Sequence, residues 1–174
     1  MTNEDPVARN AYIYQKIGEL VSAIGHYDMA ILGCTLVLTE EIVLKAHAKK
    51  CSGDQLSKLM LELMKARGCA TDLVQEVKAI HGRMKEVLDR RSIVAHNPAL
   101  TSDPQGVLIA RRFFEQQLGA TPSDWRHPIS QIEADCNTAM KCYHEIANVG
   151  PRIKEAASAA QARRDKEGAK RLGL

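Results

Sequence analysis

The apolar residues Ile13, Ile17, Leu20, Ile24, Tyr27, Ile31, Cys34, Leu38 and Ile42 recur at steps of three and four. An α-helix turns once every ~3.6 residues, so this spacing lines them along one side of a helix, whereas a strand would alternate in twos. The stripe runs from about Val7 to Lys49 and predicts one long helix or two collinear ones. Gly18, Gly25 and Gly33 interrupt it. Each weakens a helix by ~1 kcal/mol relative to Ala, so a bend or break near Gly25 is expected. No phosphate-loop pattern surrounds these glycines, and they are read as places of close helix approach.

The helical period returns downstream. Leu56, Leu59, Met60, Leu63 and Met64 define a short helix between the turn CSGD and a stop at Gly68. Leu73, Val77, Ile80, Met84, Val87 and Leu88 mark the next helix, with Thr71 or Asp72 as its cap. Asn97-Pro98 ends it, because the residue before a proline is pushed out of the α region. The period then changes. LTSDPQGVLIARRFF holds two short extended runs around a Ser-Asp-Pro-Gln-Gly turn, the pattern of a β-hairpin. From near Pro128, the residues Ile129, Ile132, Cys136, Met140, Tyr143 and Ala147 give the face of the last core helix, which Gly150-Pro151 punctuates. Beyond Ile153 the chain is Ala-rich and charged, able to form helix but with little to bury. The expected architecture is all-α: a helical bundle of four to six helices with a small β-hairpin insertion after the third major helix. Residues 1–151 form the bundle, and 152–174 an Ala/Arg/Lys-rich tail, helical or partly disordered.

Composition supports this class and bounds the partners. A chain of 174 residues suits one domain, and 45% hydrophobic with only 4% aromatic content favours helix packing over a β-sandwich. The net charge of +3 is too small to argue for nucleic acid alone. The five cysteines are odd in number and none has the two-residue spacing of a metal knuckle or redox motif. They are read as reduced and structural. With the polar, acidic start of the chain, this points to a cytoplasmic protein. His26 and Asp28 fall near Gly25 and are read as a surface or satisfied pair rather than a cleft lining. His47, His81 and His144 are scattered without zinc spacing, so neither metal nor cofactor is expected. The run MAILGCTLVL is far short of the ~20 residues of a membrane span, and no membrane partner is expected.

The stretch DRRSIVAHNP, positions 89–98, is the best candidate for chemistry. Projected at ~100° per residue, Arg91 falls at the centre of the apolar stripe begun by Leu73. A guanidinium aimed inward is costly unless it is paired or opens onto a cleft or interface. His96 and Asn97 follow at the helix end. Here the chain resembles the HEPN superfamily, helical bundles, often dimeric, many of them metal-independent ribonucleases acting as toxins or defence effectors. The family motif is an Arg, a polar residue, then a His after four to six intervening positions, at a helix end. Arg91, Ser92 and His96 fill it, with Ser92 where the family usually carries Asn, Asp or His; Arg90 could also serve as the motif Arg.

The resemblance implies endonucleolytic cleavage of RNA by 2′-OH transesterification. Arg91 and His96 would be catalytic, and Ser92, Asn97 and Arg90 supporting or phosphate-binding. A base must take the 2′-OH proton, an acid must protonate the leaving oxygen, and a cation must sit over the phosphorane. Histidine suits either proton transfer and arginine the phosphate oxygens. On an ideal helix Arg91 and His96 lie roughly 140° apart. Either the helix end unwinds, or two sites converge across the two-fold axis of a homodimer, with RNA and an antitoxin as further partners. The alternative is a catalytically inactive binding or dimerisation module for a partner protein or nucleotide. There His96 interacts only with the helix dipole and Arg91 pairs with a carboxylate such as Glu40 or Glu41.

Overall fold

In a computed structural model of the chain, residues 6–95, 100–102, 107–110 and 125–171 are described, with side chains for 7–91 and 128–170. Five helices lie among the described residues: α1 (Pro6–Val37), α2 (Ile42–Ala48), α3 (Gly53–Ala66), α4 (Thr71–Ala95) and α5 (Ile129–Arg171). The molecule is an all-α helical bundle. Between α4 and α5 the backbone of Leu100–Ser102, Val107–Ala110 and Trp125–Pro128 forms three short antiparallel strands, with Thr101 opposite Ile109 and Ile109 opposite Arg126.

Two compact units share the three long helices. One comprises residues 1–25 and 86–140, the other 26–85 and 141–174. The first buries Ile13, Leu20, Ala23 and Ile24 of α1, Val87 of α4, and Ile132 and Ala139 of α5. The second buries Tyr27 and Ile31 of α1, Leu56, Met60 and Met64 of α3, Val77, Ile80 and Met84 of α4, and Ile146, Val149 and Ile153 of α5. Each large apolar side chain so buried contributes about 1.5–3 kcal/mol.

The helices depart from the sequence expectation at several glycines, at Thr39 and at Pro151. The helix does not break at Gly25: α1 runs from Pro6 to Val37. A Cβ added at Gly18, Gly25 or Gly33 would meet nothing within 4 Å, so close helix approach does not account for them. The stripe breaks later, where the Thr39 hydroxyl accepts a hydrogen bond from the Glu41 amide at 3.2 Å and competes with helical pairing. Ile42, at the end of the expected stripe, is 83% exposed. At Pro151, a residue without an amide hydrogen, α5 nonetheless continues. Val149, Ile153 and Ala157 are buried on both sides of it, and their packing outweighs the lost hydrogen bond. Gly68 does stop α3, with φ +68 and a pair of closing bonds, Gly68 N–H to Lys65 and Cys69 N–H to Met64.

Helix α1 is long and apolar enough, by length and composition, to cross a membrane, a property beyond what the run at 29–38 suggests. A third of the qualifying window is buried, and a core helix passes the same test.

Candidate functional site

The last turns of α4 position the candidate residues. Leu73, Val77, Ile80, Met84 and Val87 form its buried stripe, and the next step of four reaches Arg91. Arg91 is half-buried, and its Nε is shielded from solvent with no hydrogen-bond partner among the described residues. Ser92 lies in the last turn of α4, which closes at Ala95; its side chain is outside the described set. His96 and Asn97 fall immediately after α4 and also lie outside the described residues. The hairpin residues Arg111 to Phe114 do so as well.

Arg90, one residue away, is differently employed. Its Nε lies 3.0 Å from both oxygens of Asp135, and its Nη2 lies 2.8 Å from Oδ1. Asp135 is 1% exposed, and Gln131 of the preceding turn donates to its Oδ1 at 3.0 Å. This two-point fork holds the guanidinium in its charged form and raises its pKa, with burial opposing. Glu86, one turn back on α4, stands 4.0 Å from Nη1. The arginine of DRRS paired with an internal acid is therefore Arg90. Glu40 and Glu41, suggested as internal partners for Arg91, are both exposed.

Asp135 escaped the sequence reading. The expected α5 face ran through Cys136, Met140, Tyr143 and Ala147, of which three are half-exposed and Ala147 is exposed. The buried face is Ile132, Asp135, Ala139, Cys142, Ile146, Val149 and Ile153, one position earlier at each turn. The signal was present as unbroken steps of three and four from Ile132 to Ile153. It was hidden because one member is a carboxylate and two are small.

A second buried polar group lies at Tyr27 and His81. The Tyr27 hydroxyl is hydrogen-bonded to His81 Nδ1, and the rings meet edge to face at 6.0 Å. His81 Nε2 is buried without a partner among the described residues. Burial pushes the His81 imidazole down to about 4, only partly opposed by Asp54, and pushes the Tyr27 phenol up. His81 is thus neutral at physiological pH. Among the described residues no group of three His, Cys, Asp or Glu side chains could hold a metal ion.

No protein-family model, no curated protein and no solved structure matches the chain.

Proposed function

We propose that this chain is a metal-independent endoribonuclease of the HEPN type, with Arg91 and His96 at its centre. The observation that carries the reading is the Arg91 guanidinium. It sits in line with the buried face of α4 at the helix end, with Nε shielded and lacking an acceptor among the described residues. A buried donor left unmatched costs about 1–3 kcal/mol, which a bound phosphate oxygen would relieve. His96 is the next residue in sequence after α4 and supplies an imidazole, the side-chain type suited to proton transfer.

In this reading a base removes the 2′-hydroxyl proton and the 2′-oxygen attacks phosphorus. The bond to the 5′-oxygen breaks, and an acid protonates that oxygen. A 2′,3′-cyclic phosphate and a 5′-hydroxyl result. Arg91 stabilises the phosphorane charge, and Ser92 and Asn97 orient the pair or touch phosphate. Arg90 acts at one remove, tying the end of α4 to α5 through Asp135. Two copies assemble as a homodimer in the cytoplasm so that their Arg91 and His96 pairs converge, an antitoxin protein restrains them, and the insertion after α4 is a small β-hairpin.

The Arg90–Asp135 pair favours a second reading, a catalytically inactive binding or dimerisation module, because one arginine of the segment already serves the fold. The two readings separate on one comparison. Wild type incubated with mixed RNA in chelator should release 5′-hydroxyl fragments, and His96→Ala should abolish this without lowering thermal stability. Intact RNA with the wild type would leave only the binding module.

A further inference from the structure

A groove of about 690 Å³ runs between the second half of α1 and α5 within the unit of residues 26–85 and 141–174. That volume lies within the range of small-molecule sites. Its lining includes small residues, the half-buried Ala30 and exposed Gly33 on one helix and the exposed Ala147 and half-buried Gly150 on the other. The wall residues Met29 and Val37 are 67% and 45% exposed. Along α1 from His26 to Val37 the trough extends roughly 16 Å at 1.5 Å per residue. Tyr143 and His26 stand together at one end, ring centroids 5.7 Å apart. Lys154 stands at the other.

The charge of the lining is one-sided: it includes Lys154 and the titratable His26, and no carboxylate. Lys154 also borders a neighbouring hollow lined by Glu40 and Asp165, yet it forms no ion pair among the described residues. An unpaired ammonium at the mouth of an apolar trough is a ready partner for an anion with an apolar body. We propose that this groove binds one amphiphilic carboxylate, its alkyl chain lying along the small residues of the lining and its carboxylate on Lys154. Apolar area drives the association, and the ammonium sets the preference for an anion over a neutral amphiphile. The site shares no residue with the Arg91 segment and stands whether or not the chain cleaves RNA.

Titration calorimetry with dodecanoate below its micelle concentration tests this on the full chain. Wild type should bind one equivalent in the micromolar range, and dodecanol at least tenfold more weakly. Lys154→Gln should weaken dodecanoate at least tenfold while leaving dodecanol unchanged. Gly33→Leu fills the trough from a position where an added Cβ meets nothing within 4 Å, so it should abolish binding with no fall in melting temperature. Ala147→Leu, at an exposed position of α5, should do the same from the other helix. No binding by wild type, equal affinity for dodecanoate and dodecanol, or undiminished binding by Gly33→Leu would overturn the proposal. So would a wild-type dimer that Gly33→Leu dissolves, because the trough would then hold a second copy of the chain.

Discussion

Two buried polar residues show how single side chains shape this molecule. Asp135 is tolerated in the core because Arg90 and Gln131 satisfy it. Arg90→Ala should therefore strand a buried carboxylate and cost about 3 kcal/mol of stability, read as a lower urea midpoint. Replacing both Arg90 and Asp135 by Leu should recover most of that loss, while RNA cleavage per folded molecule should survive Arg90→Ala but not Arg91→Ala. His81 gives a pH dependence of determinate sign. Its folded pKa of about 4 lies below the ordinary value near 6.5, so on acidification the unfolded chain takes up the proton first. The stability tied to neutral His81 is complete above about pH 6.5 and drains away as pH falls towards 4. At roughly pH 4.5 the loss should amount to about 2–3 kcal/mol. Urea unfolding of wild type and His81→Gln at both ends of this window should show the variant lacking that increment; parallel pH profiles would refute the assignment.

At the scale of elements, apolar period alone carried most of the fold. The buried stripes of α3 and α4 were legible because Leu56, Met60 and Met64, then Leu73, Val77, Ile80 and Met84, are large, apolar and correctly spaced. The face of α5 was not, since Asp135, Ala139 and Cys142 carry its register with little hydrophobic weight. Glycine and proline misled for a related reason. Their intrinsic penalties of about 1 and 3 kcal/mol are smaller than the packing of the residues around them. Gly25 pays such a penalty for no visible contact, since an added Cβ there meets open space. Gly25→Ala should raise stability by about 0.5–1 kcal/mol, measurable as a higher melting temperature. A fall instead would show that the position needs its missing side chain. The candidate site was legible only as far as α4 carries it. Period placed Arg91 on the stripe, but which of the two neighbouring arginines meets an acid depends on α5, some forty residues away in sequence.

For the molecule as a whole, the proposed chemistry takes assembly as its route. On an ideal helix Arg91 and His96 would lie roughly 140° apart. Both reach one phosphate either where the chain leaves α4 after Ala95 or where two copies converge, and the second is the route proposed. Sedimentation should accordingly show twice the chain mass, and mixing His96→Ala with Arg91→Ala should restore part of the cleavage if a shared site forms from two copies. The most direct test remains RNA cleavage in chelator by wild type, Arg91→Ala and His96→Ala, with thermal melting run in parallel. Wild type should produce 2′,3′-cyclic phosphate ends, while both variants melt like wild type and lose at least a hundredfold in rate. Equal cleavage by the three proteins, or none by any, would contradict a ribonuclease centred on Arg91 and His96.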